Sequence, residues 1–340
     1  MDPQNVYQRV QGKMVDEKCQ TLIKSLSSVS AELDDGQYAG LVILCVITIL
    51  LAIIAIVGNI LVVIAIIKTP SLHSPSYIFL FSLAVSDLGV GSIVQPLHVL
   101  LAVWALQGNY TESFCTVRIL FWFLTAGFSI ASYLTIVIIS IDRYLAVSLR
   151  TEYRVKVTMR RVIGAAVTLW IVTAVLVGVT RGGINNYGFT FAVIAISIWV
   201  ISFFVTSFIF FKTIRIILRS QAQVQTRLSS DSLEQQTRES GFNLGVYKRS
   251  VYSMLYVYLL YLFCYIPIVL YFVLLLFLPD LSSVMIAYHE ISLSIVLFNS
   301  SANPFVYLWR MKDLRKAVRK LLAGFTGEPV SFSTTVSSQP

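Results

Sequence analysis

Seven stretches of this sequence are long and apolar enough to cross a bilayer, and they decide most of what the chain can become. A hydrocarbon core about 30 Å thick takes roughly 20 apolar residues as a helix. The runs fall near Ala39–Ile67, Ser76–Val103, Thr116–Ile141, Val162–Val179, Phe189–Phe211, Val251–Leu278 and Ser283–Trp309. In lipid every backbone N–H and C=O needs an internal partner, which leaves helices and closed barrels. None of the runs alternates apolar and polar residues, so a barrel is excluded. The expected fold class is all-α, a seven-transmembrane helix bundle. Of the 340 residues, 56% are apolar and only 13% charged, against about 25% charged in a soluble domain. That balance excludes a soluble enzyme, a nucleic-acid-binding domain and a disordered chain. The formal charge of +9 therefore speaks to orientation rather than to a nucleic-acid partner.

Most of the 26 Lys and Arg residues lie in the linkers after runs 1, 3 and 5 and in the tail after run 7. The positive-inside rule then puts the N-terminus outside and the C-terminus in the cytoplasm. Four regions follow: an extracellular segment 1–38, a transmembrane domain 39–309, an amphipathic membrane-surface helix 310–325 and a Ser/Thr-rich cytoplasmic tail 326–340. The first residues lack the apolar core of a cleaved signal peptide, so the first run is expected to direct its own insertion. Asn109-Tyr110-Thr111 is a glycosylation sequon on the outer side, which makes Asn109 the candidate site. A second triplet, Asn299-Ser300-Ser301, lies within run 7 and is not expected to be modified. The outer linker Thr180–Gly188 is short, and the inner linker Ser220–Ser250 is polar. The four cysteines, Cys19, Cys45, Cys115 and Cys264, have no metal-binding spacing. Only Cys19 and Cys115 fall where an oxidising exterior would meet them.

An ionisable group at the bilayer centre costs about 2.5–3.5 kcal/mol on insertion scales. Asp87, in the middle of run 2, therefore needs polar partners. Asn59 in run 1, Ser132 in run 3, and Asn299, Ser300 and Asn303 in run 7 are the candidates. Ser300, Asn303 and Tyr307 share one helical face by their spacing. Such a cluster is either a hydrated monovalent-cation site or a structural hydrogen-bond network filled with water. Asp142-Arg143-Tyr144 at the inner end of run 3 offers a local acid–base pair that would release Arg143 to a partner on opening. It is equally read as an interfacial anchor. Pro267 and Pro304 each remove a helical hydrogen bond, which bends runs 6 and 7.

These features occur together with others in one order, and in that order the chain resembles the rhodopsin-like (class A) G-protein-coupled receptors. The matching motifs are Gly58-Asn59-Ile60-Leu61-Val62, Leu83-Ala84-Val85-Ser86-Asp87-Leu88, Asp142-Arg143-Tyr144, Trp170, Cys264-Tyr265-Ile266-Pro267 and Asn303-Pro304-Phe305-Val306-Tyr307. Within the family there is a weaker similarity to the melanocortin, lysolipid, cannabinoid and adenosine cluster. The resemblance implies a plasma-membrane receptor with no enzymatic activity. It implies a signal passed from an extracellular ligand to heterotrimeric G proteins by outward movement of span 6. Asp87, Ser132, Asn299, Ser300 and Asn303 would form the sodium site, with no other metal and no organic cofactor. Asp142, Arg143, Tyr144 and Tyr307 would form the G-protein switch. Arrestin and receptor kinases are implied partners, through Ser331, Ser333, Thr334, Thr335, Ser337 and Ser338. The segment Lys312–Leu322 would lie on the membrane with Leu314, Val318, Leu321 and Leu322 facing lipid.

The chain departs from the family pattern in ways that carry consequences. The second outer loop has no cysteine, so the family's disulfide to span 3 is expected to be absent, and Cys115 with Cys19 is the alternative. Tyr247 stands where many members carry an acid that pairs with the span-3 arginine, which predicts basal activity. No lysine lies between Lys248 and Lys312, so no retinal Schiff base can form in span 7. The ligand pocket is expected between spans 2, 3, 5, 6 and 7, at Gln95, His98, Thr125, Ser129, Trp199, Tyr265, Ile268, Phe272, His289 and Leu293. Thr125 leaves no acid for an ammonium there, which argues against a monoamine. The mostly apolar lining suits a lipid, a small apolar molecule or a peptide end. Glu290 and Arg118 near the mouth either read a charged group or sit in water. Two other classes compete: a signalling-deficient decoy or assembly partner, and an ion-coupled transporter using Asp87. The latter lacks the internal repeats many transporters show.

Overall fold

Long apolar runs in a chain with few charges give long helices, and among the described residues the secondary structure is helical throughout. The computed structural model describes residues 35–228, 244–277 and 283–326. Cys19, residues 229–243 of the polar inner linker and the Ser/Thr sites of the tail lie outside them. Seven segments have the length and apolarity to span a membrane: Asp35–Lys68, Pro75–Leu106, Glu112–Leu149, Met159–Gly178, Trp199–Ala222, Lys248–Leu275 and Val284–Arg310. They are spans 1 to 7 below. A further helix, Lys312–Thr326, follows span 7.

Local chemistry sets the ends of these helices. Span 1 stops before Pro70, and the His73 imidazole meets the terminal carbonyls of Ile66 at 3.1 Å and Ile67 at 3.2 Å. Span 2 starts with Pro75 at the first turn, where its missing N–H costs nothing. Its middle opens into a π-helical turn at Val90–Val94. Pro96 follows directly and has no N–H to return to residue 92, so the ladder widens there. Arg315 donates to the carbonyls of Leu308 and Trp309 at the end of span 7, each at 3.3 Å, which satisfies orphaned acceptors and complements the helix dipole.

Two expectations need correction. The short outer linker expected at Thr180–Gly188 is itself helical in character, part of one element that runs from Met159 to Leu228, over 70 residues. A straight helix of that length would extend about 105 Å. Yet Val177 lies 3.9 Å from a Cβ built on Gly127, and Arg150 donates to Ser220 at 3.3 Å. Both segments thus lie along span 3, and the element turns back between spans 4 and 5. The second correction concerns the terminal helix. Leu314 and Val318 are buried, at 0% and 3% exposure, inside the same apolar cluster as Val62, Ala65 and Leu72 of span 1 and its following turn. They anchor the helix to the bundle, and Leu322 is left on the outer side at 44% exposure.

Burial separates the spans. Only 17% of the apolar window of span 1 is buried, against 67% for span 7, so span 7 is central and span 1 peripheral. Phe263, Ile53 and Ile201 project outward, exposed by 69%, 55% and 63%, as expected where lipid replaces water. Small residues set the close approaches. A Cβ on Gly58 would come within 2.8 Å of the Pro304 ring, and one on Gly91 within 2.8 Å of Ala55.

Candidate functional site

Three polar regions lie along the axis of the bundle. At one end Arg143 is buried with only 5% of its surface exposed. Its Nε donates to Asp142 Oδ2 at 3.0 Å, and one terminal nitrogen donates to Ser250 Oγ of span 6 at 2.8 Å. The other terminal nitrogen donates to Asp142 and to Ser76 Oγ. Asp142 is held in turn by the Tyr153 hydroxyl at 2.6 Å. Tyr153 lies between spans 3 and 4; burial, and then the Asp142 charge, push its phenol above the ordinary range. The arginine therefore meets span 6 through a neutral hydroxyl. The Tyr247 side chain lies outside the described ones. Arg249 adds a second tie, donating to the Arg310 carbonyl of span 7 at 3.3 and 3.2 Å. Tyr144 is half-buried. Tyr307 is 1% exposed, and its hydroxyl has no hydrogen-bond partner among the described residues.

Asp87 lies at mid-bundle, with no exposed surface. Asn303 Nδ2 donates to its Oδ2 at 2.8 Å, and the Ser300 hydroxyl lies against the same carboxylate. Ser132 shares a hydrogen bond with Ser86 at 2.9 Å. Asn59 donates to the carbonyls of Ala55 at 2.9 Å and Ser300 at 3.1 Å. The five expected residues are all buried. Asp87 Oδ1, Asn299 Oδ1, Asn303 Oδ1 and Asn59 Oδ1 are buried acceptors with no described partner. A set of unmet oxygens around a buried carboxylate has the donor chemistry a small hard cation needs.

At the opposite end a cavity of about 120 Å³ opens among spans 1, 2, 3 and 7. Its polar element is a carboxylate between two imidazoles. His98 Nε2 meets Glu290 Oε2 at 3.0 Å, and His289 Nδ1 meets Glu290 Oε1 at 2.9 Å. Phe121 stacks on His98 with ring centroids 5.6 Å apart, and Trp122 tilts against His289 at 5.5 Å. Arg118 and Leu41 complete the lining on spans 3 and 1.

Of the ten residues expected around a ligand, His98, His289 and Leu293 line this cavity. Gln95 is buried and donates to the Leu297 carbonyl at 3.3 Å. Thr125 turns back to the Phe121 carbonyl at 2.7 Å. Tyr265 stacks on Tyr261 at 4.0 Å, and Ser129 lies beside it. Trp199 stacks on Phe203 at 6.1 Å, while Ile268 and Phe272 join an apolar cluster with Tyr271. The lining therefore involves span 1 in place of spans 5 and 6. Tyr271 lies 4.9 Å from the His289 ring and 5.4 Å from Phe272, which fills the space toward span 6. Phe121 and Trp122 could have been found beforehand, because they stand four and three residues before Thr125 on the same helical face.

Asn109 is exposed, beside Gly108 at φ +64° in the turn after span 2. Asn299 of the second sequon is 2% exposed. Cys115 is disulfide-bonded, whereas Cys45 and Cys264 are free.

Comparison with known proteins agrees with this geometry. Adenosine receptor A3 of Ovis aries is 36% identical over 132 residues, 39% of this chain and 39% of that receptor. The same receptor of Canis lupus familiaris is also 36% identical over 132 residues, 39% of this chain and 40% of its own length. The alpha-2B adrenergic receptor of Didelphis virginiana is 34% identical over 127 residues, 36% of this chain and 31% of its own length. The chain thus spans less than half the length of the curated relatives it matches. The model of the 7 transmembrane receptor (rhodopsin family) matches residues 58–307, from the glycine packed on Pro304 to the buried Tyr307. This multi-pass membrane chain belongs to the rhodopsin family of seven-transmembrane receptors.

Proposed function

We propose that this chain is a class A receptor that passes an extracellular ligand signal to heterotrimeric G proteins by outward movement of span 6. The observation that carries the reading is the Arg143 cluster. A buried guanidinium is tied to span 6 by one neutral hydroxyl, at 2.8 Å. Release of that tie frees a strong donor at the end of the bundle where a partner would dock. Pro267 lies inside the helix of span 6 and Pro304 inside that of span 7. Each interrupts the hydrogen-bond ladder where a bend has to occur. In this reading the Arg143 end faces the cytoplasm, where the basic linkers favour it. Asn109, at the other end, carries a glycan.

The ligand enters at the Arg118 end. Its class is lipid, small apolar molecule or peptide end; the relatives' names point to adenosine in one case and to an adrenergic ligand in the other. Asp87, with Ser132, Asn299, Ser300 and Asn303, would hold a sodium ion. The ion would supply positive charge to unmet oxygens and favour the closed arrangement. Arrestin and receptor kinases would act on the Ser/Thr tail. The chain does no chemistry of its own, which is the expectation for a receptor family.

The test is nucleotide exchange on a panel of Gα subunits, with the chain and its Arg143→Ala variant at matched surface levels. Exchange above background that disappears in the variant supports the reading. Exchange unchanged by Arg143→Ala refutes it, and silence from both across a ligand screen favours the decoy.

A further inference from the structure

The Arg118 end contains two opposite charges treated very differently. Glu290 is matched: each carboxylate oxygen accepts from an imidazole, at 3.0 and 2.9 Å. Arg118 lines the same cavity and feels the Glu290 charge across it, yet among the described residues its guanidinium makes no direct hydrogen bond or ion pair. A guanidinium carries five donors in a fixed fork suited to a carboxylate, and it does not lose its charge. The walls beside it are Phe114, Phe121, Trp122, Leu101 and Leu293. A guanidinium whose donors meet no acceptor among apolar walls is costly unless an anion joins it.

We infer that this cavity binds a compact apolar carboxylate, its anionic head on Arg118 and its apolar body against Phe121 and Trp122. The inference rests on the receptor reading above and names the ligand class for it. Size limits the body. A dry cavity of about 150 Å³ takes one benzene, so the 120 Å³ here takes one ring or a short alkyl chain, with the head toward the mouth. Charge selects the head. A ligand ammonium would find Glu290 already bonded on both oxygens and would face Arg118 directly. A neutral amide would leave the guanidinium fork half used. The two imidazoles already engage both Glu290 oxygens.

The test uses the full chain in lipid nanodiscs, with binding and signalling read separately. Hexanoate and phenylacetate are the probes; hexanamide, phenylacetamide and phenethylamine are the controls. Binding is followed by thermal stabilisation and calorimetry up to about 10 mM, a range set by the low affinity of ligands this small. The expected result is that one or both carboxylates bind and the controls do not. A preference for phenylacetate identifies an aromatic body and a preference for hexanoate an aliphatic one. Arg118→Ala should weaken carboxylate binding about 10- to 100-fold, as loss of a charged hydrogen-bond pair does. Arg118→Lys should recover part of it, and Glu290→Gln should leave it unchanged or tighter. Ligand-free melting of each variant separates lost binding from lost folding. The inference is overturned if no carboxylate binds, if amides or phenethylamine bind equally well, or if a folded Arg118→Ala binds as the parent does. Carboxylate binding without any change in nucleotide exchange would keep the site and refute its coupling to signalling. Arg143-dependent basal exchange without carboxylate binding would do the reverse.

Discussion

Replacing Ser250 with alanine should raise basal signalling, and the size of the effect follows from one contact. Ser250 Oγ accepts from Arg143 at 2.8 Å and is the hydroxyl that joins the arginine to span 6. A hydrogen bond to a charged group contributes about 1.5–3 kcal/mol. Part of that is recovered in the variant, because Arg143 keeps Asp142 and Ser76 as acceptors. The partly buried site also admits some water. A net loss of about 1–2 kcal/mol remains, which shifts a two-state equilibrium by a factor of about 5–30. If the closed arrangement dominates, basal exchange rises by that factor until the open population saturates. Ser250→Asp should act in the opposite sense, because a carboxylate in the same place pairs with the guanidinium and holds span 6. The assay is nucleotide exchange on purified Gα with receptor in nanodiscs and no ligand. Basal rates within twofold of the parent for both variants would refute the reasoning, since the contact would then have no part in the closed state.

Other perturbations test other parts of the bundle. Replacing sodium by a bulky organic cation should raise basal exchange, and Asp87→Asn should abolish that salt dependence; a response that survives in the variant would place the ion elsewhere. Gly58→Val should lower the melting temperature and cost about 1–3 kcal/mol through overpacking, because even a Cβ there meets the Pro304 ring at 2.8 Å. Leu314→Ala should cost about 2–5 kcal/mol, while Leu322→Ala should change the melting temperature little; equal effects would mean that the terminal helix rests on lipid alone. Peptide mapping without reduction should recover Cys115 joined to Cys19, since Cys45 and Cys264 are free, and free Cys19 thiol in the folded protein would contradict this.

Long-period apolarity made the spans legible, because bilayer thickness fixes how many residues a crossing needs. The Asp87 and Arg143 clusters were legible for a related reason. Polar residues are so costly in apolar runs that the few present have to meet. What stayed hidden depended on which neighbour covers a face. Leu314 and Val318 have the spacing of a lipid-facing stripe, and nothing in that spacing distinguishes lipid from span 1 as the apolar partner. The short linker at Thr180–Gly188 was legible as a connection, and its helical character was not. The π-helical turn at Val90–Val94 is signalled only by Pro96, which elsewhere would produce a plain kink. The cavity moved toward span 1 because Tyr271, His289 and Trp122 pack together, a choice among aromatics that composition does not order.

The distribution of unmet polar groups bears on why such a bundle can switch. At the Arg143 end nearly every donor is used: Asp142, Ser76, Ser250 and Tyr153 close a network around the guanidinium. One turn of span 7 away from the Asp87 cluster, the Tyr307 hydroxyl is buried and unmatched, as are Asp87 Oδ1 and Asn299 Oδ1. Each such group costs about 1–3 kcal/mol if nothing meets it. If span 6 opens as proposed, the arrangement described is a closed form stabilised at one end and destabilised in the middle. An ion or water at Asp87 lowers the cost there and favours closure. Moving Tyr307 onto a new acceptor lowers it by a different route and favours opening. Two competing ways of satisfying the same buried groups, separated by a few kcal/mol, make a bistable element. On this argument Tyr307→Phe removes the cost without offering the open-state bond, so it should stabilise the closed form and lower ligand-driven exchange. A variant that melts higher but signals less would fit, whereas one that signals more would show that the hydroxyl already has a partner when the bundle is closed.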